Sequence, residues 1–132
     1  LIYFVHEWQP KFDEAALLSD PEMLSAVTSI NRQITELAPV LNSPTIENAT
    51  SVSSSKEAVP VAIMTKNHDG ATYLFAVAMR GDKTTATFNL RTAEGIKTVE
   101  VLDENRTIPV NDGVFKDNFK PWDVHLYRTK AL

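Results

Sequence analysis

The sequence predicts a mainly β protein, an antiparallel β-sandwich of immunoglobulin-like or Greek-key type, preceded by an N-terminal strand and one amphipathic helix. Three observations carry this reading. Between Thr98 and Thr129 apolar and polar residues alternate, at Val99 and Val101, Ile108 and Val110, Val124 and Leu126, the period that turns one face of a strand to a core. Short β-rich runs follow one another from Val61 onward with turn residues between them. Before them lies one stretch whose apolar residues are three and four apart, as on a single helix with a single apolar stripe.

Taken in order, Leu1 to Val5 is a continuous apolar run rich in β-branched and aromatic residues, which suits a strand buried on both faces, as parallel barrel strands are. The plainer alternative is a strand or tail packed on the sandwich. Gln9 to Asp13 contains Pro10 and reads as a loop, and Glu14 to Leu18 as a short helical turn. Ser19-Asp20-Pro21-Glu22 is a helix start. Asp20 or Ser19 can accept the first backbone N–H bonds, proline in the first turn loses no needed donor, and the Glu22 carboxylate sits near the positive helix end. The helix is expected to run to about Ala38 and to end at Pro39. Met23, Leu24, Val27, Ile30, Ile34, Leu37, Ala38 and Leu41 form its stripe.

From Asn42 to Pro60 the composition shifts to Ser, Thr, Asn and Pro, which marks a linker that can hold a first sandwich strand. Strands are then expected at Val61 to Lys66, Tyr73 to Met79, Thr85 to Leu90, Thr98 to Leu102, Arg106 to Val110, Val114 to Lys116 and Val124 to Arg128. The turns between them are His68-Asp69-Gly70, Gly81-Asp82, Ala93-Glu94-Gly95, Asp103-Glu104-Asn105 and Asn111-Asp112-Gly113, rich in residues that tolerate positive φ. The expected organisation is residues 1–41 as a strand plus helix, 42–60 as linker and 61–132 as the sandwich.

Composition narrows the function. With 43% hydrophobic and 23% charged residues, 132 residues make one ordinary globular domain plus an appended piece. A net charge of −4 with scattered Lys and Arg lacks the basic footprint that nucleic acid selects. The absence of cysteine excludes a disulfide framework and thiolate metal sites. No apolar run approaches the roughly 20 residues that span a bilayer, so no membrane partner is expected. The sequence opens without Met inside an apolar run, and is read as a piece of something longer.

The stretch VEVLDENRTIPVNDGVFKDNFKPWDVHLYR from Val99 to Arg128, with YLFAVAM at Tyr73 to Met79 and LAPVLNSP at Leu37 to Pro44, resembles the C-terminal end of barrel-type glycoside hydrolases in which a small β-sandwich follows the catalytic barrel. The phrase F-x-P-x-x-V-H-x-Y, Phe119 to Tyr127, is distinctive as a whole, although each of its residues is common. The resemblance implies that residues 1–41 are the last barrel strand and helix, and that the sandwich stabilises the barrel and borders its carbohydrate cleft. The catalytic barrel of the parent is then the implied partner, and an oligo- or polysaccharide a further one. Localisation is left open, with a secreted, periplasmic or cell-surface parent fitting the resemblance.

The same resemblance makes Trp8 a floor for a sugar ring in the intact parent, with Glu7 beside it at the rim. A single carboxylate such as Glu7 is not a hydrolytic mechanism, which needs two carboxyls about 5–10 Å apart across the scissile bond. No catalytic residue is therefore assigned to this chain, and no cofactor. His6, His68 and His125 are too scattered for a metal site, and His125, between Val124 and Leu126, is expected to face outward. The glycines sit in turns, without a phosphate loop or a nucleophile elbow. Asn48-Ala49-Thr50 and Asn105-Arg106-Thr107 match a glycosylation pattern that short sequences meet by chance. Phe88 and Tyr73 read as core, whereas Trp122, beside Pro121, is the aromatic expected to be exposed.

Two other functions fit a sandwich: a carbohydrate-binding module, favoured by exposed coplanar aromatics, and an immunoglobulin-like adhesion or spacer domain. A large apolar patch on one sheet would favour the accessory role. The lone apolar run at Leu1 to Val5 also invites self-association.

Overall fold

Asp20 turns the chain into its long helix: its Oδ1 accepts the Met23 N–H at 2.9 Å, and its carbonyl accepts the Leu24 N–H. The computed structural model describes residues 2–91 and 95–130. It places a short helix α1 at Ala16–Ser19, the long helix α2 at Pro21–Leu41, and then eight strands. The chain forms two compact units, Leu1–Ala38 and Pro39–Leu132.

Three features of the first stretch differ from expectation. Residues 2–5 form no strand; the only ladder contact nearby is an isolated bridge between Glu7 and Asp13. A strand exists only where neighbouring strands accept its hydrogen bonds, and this unit supplies none for an apolar run that would suit a parallel sheet. Leu1 lies outside the described residues. The helix also passes through Pro39 to Leu41. Proline this near the C-terminus removes only its own N–H, and the end is closed by Ser43, whose N–H and hydroxyl both donate to the Val40 carbonyl. Of the expected stripe, Met23 and Ile30 are exposed and the rest half-buried, while Val40, off the stripe, is the buried helical residue.

The strands are β1 Thr50–Ser54, β2 Val61–His68, β3 Ala71–Ala78, β4 Thr84–Leu90, β5 Thr98–Val101, β6 Arg106–Pro109, β7 Val114–Phe119 and β8 Val124–Lys130. They form two antiparallel sheets, one of three strands in the order β1-β4-β7 and one of five in the order β2-β3-β8-β5-β6. The architecture is a β-sandwich. Segment 42–60 contributes β1, paired along its length with β4, and a further bridge joins Thr45 to Lys66. Asp69 and Gly70, both at positive φ, close the β2–β3 hairpin, and Asp112 and Gly113 make the turn before β7. Of the expected turn Ala93-Glu94-Gly95, Ala93 and Glu94 lie outside the described residues.

Between the sheets lie Leu74, Ala76, Ala78, Val99, Val101 and Tyr127 from one side and Ala86, Phe88, Leu90, Phe115 and Phe119 from the other. Phe88 stacks on Phe115 at 4.6 Å, and both meet Tyr127 edge-on at 5.2 and 5.1 Å, the offset and T-shaped geometries that ring quadrupoles favour. The phase of β8 differs by one residue from expectation. His125, Tyr127 and Thr129 face the core, whereas Val124 and Leu126 face outward. Tyr73 likewise lies half-buried on the outer face, opposite Arg128 and not in the core.

Candidate functional site

In the first unit, the backbones of Glu7 and Asp13 exchange hydrogen bonds of 3.0 and 2.9 Å, closing a loop that contains the cis Gln9–Pro10 peptide. Short aromatic contacts line this loop. Phe4 lies 4.9 Å from His6, His6 is stacked on Phe12 at 5.8 Å, and Phe12 touches Trp8 at 4.9 Å. Trp8 is 68% exposed. Tyr3 donates to Asn31 Oδ1 at 2.8 Å, fastening the segment to α2. An open cleft of about 400 Å³ results, lined by Tyr3, Phe4, His6, Glu7, Leu17 and Met23 among others. The nearby acids Asp13 and Asp20 accept backbone N–H bonds from Ala15 and Met23. Glu7 and Trp8 are thus neighbours at one loop, while Trp122 belongs to a turn of the second unit and is 64% exposed.

In the sandwich, a polar cluster that sequence reading missed joins the two sheets. Arg106 on β6 grips Asp117 on β7 with two parallel bonds of 3.0 and 2.7 Å, and its Nε donates to Glu104 at 2.7 Å. Tyr127 donates to Asp117 Oδ2 at 2.8 Å. His125 bonds Glu104 through Nδ1 and approaches the Asn118 carbonyl at 3.2 Å. Burial by itself would raise the Asp117 carboxyl, but the Arg106 fork, the Tyr127 hydroxyl and the Asn118 N–H outweigh it and hold it below the ordinary 3.8. Burial, reinforced by the bond to Asp117, pushes the Tyr127 phenol far up. The Asp117 bond raises Arg106 well above its ordinary value despite some burial. A pair held this firmly in its charged state is a structural lock. Its one trace in the sequence is Asp117 between Phe115 and Phe119, an acid in phase with core residues.

The outer faces of the two sheets differ in chemistry. Across β1, β4 and β7 the outward residues are Ser51, Ser53, Thr85, Thr87, Asn89, Lys116 and Asn118, all polar, with Val114 beside Asn89 as the apolar member. Across β2, β3 and β8 the outward rows are Ala62, Val77 and Val124, then Met64, Phe75 and Leu126. The next row is polar: Lys66, Tyr73, Arg128 and Glu100, in which Arg128 donates to Glu100 and Lys66 to the Ser43 carbonyl. The Glu100 bond raises Arg128 above its ordinary value. Val124 is 57% exposed and the other apolar members, apart from the exposed Ala62, are half-buried.

Among the described residues, no helix is long and apolar enough to cross a membrane, and no group of three His, Cys, Asp or Glu is placed to hold a metal ion.

No family model matches the chain, and no curated protein matches it by sequence. Solved structures do. The chain is similar to AmyP in complex with maltose, with a TM-score of 0.57 and 12% identity over 86% of this chain and 22% of that one. It is also similar to a variant of AmyP in complex with maltotriose, with a TM-score of 0.58 and 12% identity over 89% of this chain and 23% of that one. A catalytic mutant of Gan42B, a GH42 beta-galactosidase from G. stearothermophilus, has a TM-score of 0.44 at 11% identity over 81% of this chain and 12% of that one. At 12% identity the likeness is one of fold, and the chain spans about a fifth of the length of the AmyP chains.

Proposed function

We propose that this chain is the non-catalytic C-terminal region of a glycoside hydrolase, with residues 1–41 as the last strand and helix of its barrel and the sandwich as an accessory domain that stabilises that barrel. The observation that carries this reading is the contrast between the two outer faces: one sheet presents hydroxyls, amides, a lysine and a single valine, Val114, the other two apolar rows around Phe75, Leu126 and Val124. Contiguous apolar surface on one sheet needs a partner, and each fully covered Val, Leu or Phe contributes about 1.5–3 kcal/mol. The sandwich docks through this face, with Arg128 and Glu100 as its polar rim. In the intact protein Trp8 gives a sugar ring an apolar floor and Glu7 a polar contact at its rim, so that this region borders the cleft.

The test is made on the longer protein that carries this chain. Val124→Lys with Leu126→Lys is expected to lower its Tm by about 4 °C or more, while the same pair leaves the Tm of the 132-residue chain nearly unchanged. Equal Tm values with and without the pair in the longer protein would remove the docking role. Lack of hydrolysis of any aryl glycoside by that protein would remove the parent class.

A further inference from the structure

We infer that the end of the three-stranded sheet carries a second binding site, one for an anionic carbohydrate, formed by Trp122 with Lys83, Lys120 and Asn118. Trp122 occupies the left-handed region at φ 60°, a conformation that a bulky residue rarely adopts and that points to function where the fold maintains it. Its backbone N–H is held by the Arg80 carbonyl at 3.1 Å, and the next residue, Asp123, is held by Ala78 and Lys120. The indole rests on the bare backbone of Gly81, where an added Cβ would lie 3.1 Å from Nε1. The ring is nonetheless 64% exposed. A large aromatic surface is thus fixed and left open.

The two turns that meet at this ring carry the charges. Gly81 lies two residues before Lys83, and Trp122 two residues after Lys120. Lys83 and Lys120, with Lys56, Ser55, Thr85 and Asn118, line one groove of about 440 Å³. Of the acids beside it, Asp82 is engaged by Lys56 at 2.7 Å and Asp123 accepts the Lys120 N–H at 2.9 Å, so with Lys83 and Lys120 the cations of the site still outnumber its acids, on a chain whose net charge is −4. Thr85 N–H donates to Ser55 Oγ and Thr85 Oγ1 to Asn118 Oδ1 at 2.8 Å, which fixes the amide of the exposed Asn118 in the groove. A sugar ring offers an apolar C–H face to an indole and hydroxyls to hydroxyls and amides. A carboxylate or sulfate on that ring supplies the charge that two lysines match. A nucleic acid would also stack on an indole, but a single aromatic beside so few cations lacks the extended basic track that such a strand needs. The lysine groove lies at the end of the three-stranded sheet and the proposed docking face on the five-stranded one, with Trp122 on the turn that joins them; the two proposals are read by different probes, so either can fail without the other.

Titration calorimetry of the 132-residue chain tests it, with trigalacturonate and a dextran sulfate oligosaccharide as the two anionic probes, maltotriose as the uncharged one and oligouridylate as the nucleic acid. At least one anionic sugar is expected to bind about tenfold more tightly than maltotriose, and to lose about tenfold in Lys83→Ala with Lys120→Ala. Trp122→Ala is expected to weaken binding and Trp122→Phe to retain most of it. All three changes are on exposed side chains, and an unaltered thermal melt shows that each variant is folded. Equal affinity for charged and uncharged sugars, affinity indifferent to both lysines, tighter binding of oligouridylate, or no binding by any probe would each overturn the inference.

Discussion

The hydroxyl of Tyr127, on the five-stranded sheet, donates to Oδ2 of Asp117, on the three-stranded sheet, at 2.8 Å. The phenol ring of the same residue is fully buried against Phe88 and Phe115, so one side chain contributes both to the apolar core and to the polar tie between the sheets. Arg106 completes the tie from β6.

Tyr127→Phe keeps the ring and removes the hydroxyl, leaving Asp117 with Arg106 and a backbone amide. Chemical denaturation should show a loss of about 1.5 kcal/mol. Asp117→Ala should lose more, because it also removes both bonds of the Arg106 fork and leaves that guanidinium with Glu104 alone. A larger loss in Tyr127→Phe than in Asp117→Ala would refute the order of dependence.

Acid should weaken the sandwich through Asp117. Its folded pKa lies below the unfolded 3.8, so the unfolded chain binds more protons and the stabilisation is fully present above that value. It is lost as pH falls through the lower folded value. Thermal melts should therefore show the Asp117 contribution constant at neutral pH and declining below about pH 4, and Asp117→Asn should flatten that limb. A limb of undiminished steepness in the variant would assign the acid response elsewhere.

Phe88→Ala empties the centre of the aromatic cluster, where Phe115, Phe119 and Tyr127 all touch the ring. A loss of about 3–5 kcal/mol is expected in urea denaturation, a large fraction of the 5–15 kcal/mol that domains of this size possess. Thr87→Ala, on the polar outer face of the same strand, should change stability by about 0.5 kcal/mol or less.

A protein beginning at Pro39 should melt cooperatively with β-type circular dichroism, since β1 to β8 and the pairings between them all lie after that residue. The 132-residue chain should self-associate on light scattering through its exposed N-terminal apolar residues, Ile2 and Phe4 among them. The shortened protein should be monomeric. A molten product, or equal association by both proteins, would contradict these expectations.

The sequence by itself determined the β-rich runs from Val61, the turns at Asp69-Gly70 and Asp112-Gly113, and the helix start at Asp20, because each depends on residues within a few positions of one another. It also supplied the amphipathic period of the strands. Tertiary structure alone decided which phase of that period faces inward. In β8 the more apolar row, Val124 and Leu126, faces outward and His125, Tyr127 and Thr129 face inward, so the phase could not be told until β3 and β5 took their places beside it. The inward position of His125 depended on Glu104, 21 residues away, and the lock of Arg106 with Asp117 on two strands that belong to different sheets. Likewise, β1 became a strand only through pairing with β4, since Ser-rich sequence has little intrinsic β preference. The run after Leu1, with strong preference, formed no strand because backbone donors and acceptors make a sheet only when neighbours are there to meet them.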